Sequence, residues 1–335
     1  MIRPHTPIKP RLATRYNGIE YPSRSCMGAR RYLAAPHAGF TLVELMIALV
    51  LGLLISAAGL SIFLSSQRAF NLHESMGELQ QNANFALAVF TQDLRHTNLN
   101  TASDQKINNK IVGAGIIFAK ENVPLTLDMK DLETKFVSLQ AQDTDSTTGK
   151  SDRLTIQYVP QTSPIINCEG REVTDATSKV IVQHYYLKQS PQQISGQPTA
   201  YSLYCDAGYY QSGDTSITNI NRSAQQIMQR VDAFKVRFGV KSPAGQLRYM
   251  TINQYKTAMA SITNTADALN IVSIEVGILA RSTGRISAEA NLNSNKEFSL
   301  AGQVVTLAGD EAQNQKYLRQ VVNQVVAIRN TLGAS

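Results

Sequence analysis

Glu44 is the residue whose chemistry stands out, because it is the only charged side chain in the apolar run from Phe40 to Leu64. A carboxylate near the centre of a bilayer costs about 2.5 to 3.5 kcal/mol on insertion scales, so an acid found there is a candidate functional group. Twenty-five helical residues extend roughly 37 Å, enough to cross a ~30 Å hydrocarbon core. The run therefore predicts a membrane-spanning helix that carries a functional acid close to its start.

The remaining reactive side chains do not form a recognisable catalytic group. His73, His96 and His184 stand outside any HExxH or i, i+4 pair. The chain has no GxSxG sequence, no P-loop and no three-glycine dinucleotide fingerprint. We therefore predict a protein that is not an enzyme and that needs no cofactor.

A weak calcium candidate lies in the segment that contains Asp143, Asp145 and Asp152. The D-x-D spacing could supply oxygen ligands to Ca²⁺. The glycine of an EF-hand loop is displaced by one place to Gly149, and Leu154 stands where the bidentate acid is required. A solvated loop is the favoured interpretation.

The charge of the chain is concentrated before the apolar run. Residues 1–39 hold seven of the 32 Lys and Arg residues and one of the 25 acids, and therefore six of the seven net positive charges. Positive charge that precedes a span favours a cytoplasmic N-terminus with the rest of the chain translocated. The remainder has a net charge of only +1, so no direct nucleic-acid binding is expected.

This topology bears on the cysteines. Cys168 and Cys205 both follow the span and are therefore expected on the translocated side of the membrane. In a periplasm, thiols on that side are oxidised. We predict a disulfide between them, with two buried free thiols as the alternative.

Helical periodicity continues beyond the span, over residues 65–98. Apolar residues recur there at spacings of three and four on an otherwise polar helix. They are Leu72, Met76, Leu79, Ala83, Ala86, Phe90 and Leu94. This stripe predicts an amphipathic continuation of the same helix, with its apolar side covered by the domain that follows.

Residues 99–335 change to short runs rich in β-branched and aromatic residues, which predicts an antiparallel β-rich head. The predicted strands are 153–159, 180–187, 200–205, 231–240 and 271–280, with loops at 141–152, 189–199, 211–226 and 257–268. Alternation places Phe234, Val236 and Phe238 on one face, and Ile274, Val276 and Ile278 on one face of another strand. A final amphipathic helix is expected from Glu311 to Leu332, with Asp310 as its cap.

The segment GFTLVELMIALVLGLL resembles the processing site and first helix of type IV pilins and pseudopilins. SSQRAFNLHESMGELQQNANFALAVFTQDLR, RVDAFKVRFGV, IVSIEVGILARST and the tail YLRQVVNQVVAIRN are similar to segments of PilW-type minor pilins. The resemblance implies an α+β, pilin-like fold. One departure is Asn98-Leu99-Asn100, where PilW-like chains often have Gly-Cys, so the family's disulfide pairing is not carried over.

By resemblance, residues 1–39 are a leader that prepilin peptidase removes after Gly39, and Phe40 becomes an N-methylated terminus. Glu44 is then the fifth mature residue and sets the register of subunit assembly. A start at Met27 would shorten the leader to 13 residues. The implied partners are prepilin peptidase, other minor pilins, the major pilin, the pilus assembly platform and the bacterial inner membrane. The implied function is a minor pilin of a priming or tip complex, anchored in the inner membrane with a periplasmic head, and part of the pilus after assembly.

Several alternatives remain open. Ser56-Ala57-Ala58 could be the cleavage site of an ordinary signal peptide, or the span could be a simple anchor. A type II secretion pseudopilin and a competence pseudopilin for DNA uptake share the N-terminal motif. A membrane-anchored periplasmic enzyme would need a catalytic group in the head.

Overall fold

The protein was analysed as a computed structural model. It describes residues 39–103, 106–124, 126–128, 135–141, 151–195, 197–284, 297–307 and 317–331. The predicted leader up to residue 38, including Met27, lies outside the described residues. The chain divides into two units between Gly59 and Leu60, inside the long helix α1 (Leu42–Arg95).

The first unit, over its described residues, is the beginning of α1. All of its residues from Gly39 to Gly59 are exposed. Among the described residues, α1 is the only helix long and apolar enough to cross a membrane. The predicted apolar helix is therefore present, and the unit itself does not bury its apolar side chains.

The second unit begins with the rest of α1 and contains two four-stranded antiparallel sheets. The strands of the first sheet are β1 (Leu154–Tyr158), β4 (Val180–Gln189), β5 (Tyr201–Tyr210) and β6 (Gln225–Met228). Those of the second are β7 (Val231–Lys241), β8 (Leu247–Thr251), β9 (Asn270–Arg281) and β12 (Arg319–Ala327). The first sheet has the strand order β1-β4-β5-β6, and the second has the order β12-β9-β7-β8.

Smaller elements complete the second unit. Two short hairpins pair β2 (Ile165–Ile166) with β3 (Glu172–Val173) and β10 (Glu297–Leu300) with β11 (Gln303–Thr306). A nine-residue helix, α2 (Ile252–Ala260), follows β8. Three-residue 3₁₀ turns occur at Lys120–Asn122, Ala176–Ser178, Thr265–Asp267 and Arg329–Thr331.

The main core lies between the second half of α1 and the inner faces of both sheets. The apolar stripe of α1 contributes Leu79, Ala83, Ala86, Phe90 and Leu94, all buried. The Phe90 ring packs edge-on against Tyr185 of the first sheet and Phe234 of the second, with centroids 4.6 Å and 5.8 Å away. The predicted amphipathic stripe is thus core from residue 79 onward, whereas Met76 remains exposed.

The five predicted strands are confirmed. They correspond to β1, β4, β5, β7 and β9, and the alternating residues predicted to share a face on β7 and β9 are all buried. The register explains this, because Phe234, Val236 and Phe238 stand opposite Ile278, Val276 and Ile274. The two rows therefore fill one apolar face.

The predicted C-terminal helix is wrong over its described residues. Residues 319–327 form the edge strand β12, which pairs with β9 over its whole length, and a 3₁₀ turn follows. Leu318, Val326 and Ile328 face the core at the two-residue period of a strand. The paired valines of this segment fit both periods, and their β-branched side chains favour the sheet. Asp310, the expected cap, and the start of the expected helix at Glu311 lie outside the described residues.

Helix α2 does not follow from the predicted elements, and its last residues, 257–260, lie in the predicted loop 257–268. Its start carries a capping box, in which Thr251 Oγ1 accepts from Gln254 N and Gln254 Oε1 accepts from Thr251 N. Ile252, Tyr255 and Met259 lie buried on its inner side at helical spacing.

Candidate functional site

The predicted processing and assembly site lies at the beginning of α1. Gly39 and Phe40 precede the helix, and the Phe40 side chain is 86% exposed. Thr41 and Glu44 form a reciprocal cap: Thr41 Oγ1 accepts from Glu44 N at 3.2 Å, while Glu44 Oε2 accepts from Thr41 N and Thr41 Oγ1 at 3.3 Å each. Such a box satisfies backbone N–H groups that the first helical turn leaves without partners. The carboxylate thus lies in the first turn of α1.

An apolar surface follows the cap directly. Large side chains are exposed on every side of the helix from residue 42 to residue 64, with half or more of their surface accessible in most cases. A contiguous apolar surface of this extent is a binding surface for lipid or for other protein. A helix that is apolar all round is typical of a membrane span or of the centre of a bundle.

In the second unit, α1 ends beside a buried polar group. Tyr185 Oη donates to Asp93 Oδ2 at 2.9 Å and lies 3.0 Å from Gln183 Oε1. Burial raises the pKa of Asp93 from 3.8 to about 6, although the Tyr185 hydrogen bond works in the opposite direction. This pair ties the last turns of the helix to the first sheet.

Cys168 and Cys205 form a disulfide, as predicted. Their Cα atoms are 6.1 Å apart, and they are separated by 37 residues in the sequence. Cys205 lies in the main core on β5, and Cys168 packs against that core from the loop after β2. The bridge thus fixes this loop to the first sheet.

Of the three residues of the calcium candidate, only Asp152 is among the described residues. Asp143 and Asp145 lie outside the described residues. Asp152 is buried, accepts from Val236 N at 2.8 Å and Ala141 N at 3.1 Å, and pairs with Lys235 at 3.3 Å. Burial raises its pKa, and these three contacts act against that rise. The contacts give Asp152 a structural role beside β7, and the calcium site stays a prediction.

The histidines are dispersed over the protein. His73 is exposed on α1, and the His96 ring lies 5.3 Å from that of Tyr158, where burial lowers its pKa. His184 is buried on the outer face of the first sheet, with Nδ1 2.7 Å from Thr155 Oγ1. The structure therefore brings none of them together, and the surroundings of His184 are a feature that the sequence did not reveal.

Comparison with known proteins places two family models on the chain. The model described as Type IV Pilus-assembly protein W matches residues 184–330, from β4 to the end of the described chain. The model described as the prokaryotic N-terminal methylation motif matches residues 35–60, which include Gly39, Phe40 and Glu44. No curated protein matches the chain.

Among solved structures, the chain is similar to a type IV-like pilin from Thermus thermophilus. The two are 11% identical, the TM-score is 0.34, and the match covers 76% of this chain and 96% of the other. The two family models together cover about half of this chain, one on the head and one on the N-terminal helix.

Proposed function

Because the chain is a type IV pilin-like protein of the PilW type with an N-terminal methylation motif, we propose that it is a minor pilin that primes pilus assembly or occupies the pilus tip. In this proposal it is inserted in the inner membrane with its N-terminus in the cytoplasm. Prepilin peptidase cuts between Gly39 and Phe40 and methylates the new amine of Phe40. The head is periplasmic before assembly, and the subunit then joins other minor pilins and the major pilin on the assembly platform.

The observation that carries the proposal is the exposed apolar surface of α1, with Glu44 as its only charged side chain. In this proposal, lipid covers the apolar side chains before assembly, and the helices of neighbouring subunits cover them afterwards. A buried ammonium–carboxylate pair between Glu44 and the Phe40 amine of a neighbouring subunit would compensate two charges that are costly in apolar surroundings. A subunit at the wrong height would leave Glu44 without that partner, so the pair would set the axial register.

The PilW match supports the pilus over a type II secretion or competence system, which would share the N-terminal motif. The net charge of +1 outside the leader gives no support to a DNA-binding role. The described residues hold no group of three or more His, Cys, Asp or Glu side chains arranged to bind a metal ion.

The test separates the charge of Glu44 from its capping role. Glu44→Gln keeps a residue that can complete the capping box but removes the charge, whereas Glu44→Val removes both. Both variants should be inserted and cleaved at Phe40. Loss of one member of a buried charge pair costs about 3 to 5 kcal/mol, so both should impair assembly, with Gln the milder of the two.

Complementation of a deletion strain should be scored by an immunoblot for cleavage, by sheared surface pili and by twitching motility. Glu74→Gln is the matched control, because Glu74 is an exposed acid on the same helix beyond the apolar run. Normal piliation with Glu44→Val would contradict the register role and leave α1 as a simple anchor.

Processing is tested separately. Gly39→Leu should leave uncleaved precursor in the inner membrane, and mass spectrometry of the mature parent protein should find Phe40 at its terminus. A terminus near Gly59 would instead establish an ordinary signal peptide.

A further inference from the structure

The outer face of the first sheet carries a cleft of about 290 Å³. Its floor is the outer side of β4, where His184, Tyr186 and Lys188 follow one another at the two-residue period of a strand. Cross-strand register places Asp206 of β5 beside His184, and Tyr204 beside Tyr186. The cleft lies entirely within the second unit and is separate from the helix surface used in the proposed function.

Two chain segments wall the cleft. On one side Phe136 presents its ring edge-on to His184 at 5.3 Å, and its segment is fixed by a bridge between Leu139 and Arg153. On the other side Asn221 N donates to both carboxylate oxygens of Asp206 at 3.0 Å.

Gly208 allows the second wall to lie against the sheet. A Cβ atom at Gly208 would lie 2.6 Å from the carbonyl oxygen of Thr218, closer than side chains approach. The bridge between Tyr209 and Thr218 holds the same loop on the strand. The cleft is therefore built by specific contacts on both of its sides.

The floor is aromatic and neutral. The His184 and Tyr186 rings stack at 4.9 Å with an interplanar angle of 26°, and the Tyr204 ring follows at 6.3 Å from Tyr186. Burial and the positive charge of Arg153 lower the pKa of His184 to about 3, so the imidazole is uncharged at physiological pH. Because these rings stack on one another, the floor presents their uncharged edges and the Tyr186 hydroxyl to the cleft.

The rim is positively charged. Lys135, Arg153 and Lys188 line the cleft; among its described lining residues Asp206 is the one acid, and it already accepts two hydrogen bonds from the Asn221 backbone. Lys188 Nζ lies 5.8 Å above the Tyr204 ring. Among the described residues, neither Lys135 nor Lys188 forms a salt bridge with an acid. The charges of Lys135 and Lys188 thus exceed what the single, already hydrogen-bonded carboxylate of Asp206 compensates, which favours an anionic ligand.

We propose that this cleft binds an acidic saccharide, a sugar ring that carries a carboxylate or a sulfate. The uncharged aromatic floor can contact the C–H groups of such a ring, and the cations fit its anionic group. Neutral polar groups on Tyr186, Asn221 and His184 suit its hydroxyls, which a purely aromatic acid does not have. The cleft is at the lower end of the volumes of small-ligand sites, which suits one or two sugar rings.

The binding test uses the full chain in a neutral detergent and measures calorimetric titration and saturation-transfer NMR. A heparin-derived disaccharide is the probe, with cellobiose and inorganic sulfate at equal ionic strength as comparisons. The acidic disaccharide should bind saturably and at least tenfold more tightly than either comparison. Equal binding of sulfate would mean a simple anion site, and equal binding of cellobiose would mean that the cations have no role; both results, and absence of saturable binding, overturn the proposal.

Variants then locate the site. Lys188→Gln should weaken binding by roughly tenfold, because it removes a charge-assisted contact. Tyr186→Ala should weaken it by roughly threefold to tenfold. The controls are Lys241→Gln, a charge change at the exposed end of β7, and Tyr249→Ala, a 48% exposed tyrosine on the other sheet.

Circular dichroism should show that the four variants remain folded, and Lys188→Gln, at an exposed position, gives a readout even if Tyr186→Ala does not fold. Equal loss of binding in the control variants would overturn the assignment of the cleft.

Discussion

Ionisation of Asp93 should lower the free energy of unfolding of the head as pH rises. The Asp93→Asn variant should lack this contribution. Its pKa is about 6 in the folded protein and 3.8 as the ordinary value, because burial disfavours the charged form. Below pH 3.8 both states are protonated and the group has no effect on the free energy of unfolding. Between pH 3.8 and 6 the unfolded state loses its proton first, and above pH 6 the folded state bears the full penalty.

The magnitude follows from the shift of about two pKa units. One unit corresponds to 1.36 kcal/mol, so ionised Asp93 lowers the free energy of unfolding by up to about 3 kcal/mol at pH 7. An asparagine cannot ionise, and its carbonyl oxygen can accept the Tyr185 hydrogen bond that the carboxylate accepts at 2.9 Å. The variant should therefore match the parent near pH 3.5 and exceed it by up to about 3 kcal/mol at pH 7.

Urea unfolding of the full chain in neutral detergent, at pH 3.5, 5, 6 and 7, measures this difference. The chain has 13 tyrosines and no tryptophan, so near-ultraviolet circular dichroism reports the tyrosine packing of the head. The control is Asp175→Asn, because Asp175 is exposed and its left-handed φ of 51° also suits asparagine. A difference between parent and Asp93→Asn that does not change with pH would refute the reasoning.

Three further predictions use the same unfolding assay. Phe90→Ala should lower the free energy of unfolding by about 3 to 5 kcal/mol. Its control, Phe70→Ala, changes a residue that is 65% exposed on the same helix and should change this free energy by less than about 0.5 kcal/mol. Similar effects of the two variants would contradict the packing of α1 on the sheets. Asp232→Asn should cost about 3 to 5 kcal/mol, because Asp232 is the acid that pairs with buried Arg281 at 3.1 Å and Arg319 at 2.7 Å, and an unchanged midpoint would show that this charge is dispensable. Reduction of the disulfide, which closes a 37-residue separation, should cost roughly 3 to 4 kcal/mol in the loop-entropy model, and an equal midpoint with and without reductant would contradict it.

The sequence predicts those parts of the fold well in which a single hydrophobic period, that of a helix or that of a strand, decides which residues are buried. The strands β7 and β9 alternate between core and outer face, and the stripe of α1 repeats every three to four residues. In both cases the apolar residues that share a face are the ones that become buried. The disulfide was also predictable, because only two cysteines follow the span.

The C-terminal strand could not be predicted in the same way, because its sequence fits two periods. Val321, Val322 and Val325 satisfy a helical spacing, whereas Leu318, Val326 and Ile328 satisfy that of a strand. The choice depends on β9, whose open edge gains a partner along nine residues when this segment is extended. The two strands are far apart in the sequence, so the local hydrophobic pattern of β12 carries no information about this pairing.

The cleft was missed for a related reason. Phe136, Arg153, His184 and Asp206 are dispersed over 71 residues of sequence. The antiparallel register of β1, β4 and β5 brings the last three together, and the bridge between Leu139 and Arg153 adds the segment of Phe136. None of them belongs to a motif with a fixed spacing. Their proximity depends on how the strands pair, so it can be recognised only from the assembled sheet.

The beginning of α1 shows how one residue can serve two stages of the proposed function. In the single chain the Glu44 carboxylate has partners, because Thr41 N and Oγ1 both donate to it. In a bundle, the amine of a neighbouring Phe40 would compete for the same carboxylate and would add a charge that the cap does not supply. The subunit would thus never have to expose a bare carboxylate to lipid. The free energy of assembly would come from the added charge rather than from the first hydrogen bonds of the acid, which is why Glu44→Gln, able to keep the cap without the charge, is the more informative of the two variants.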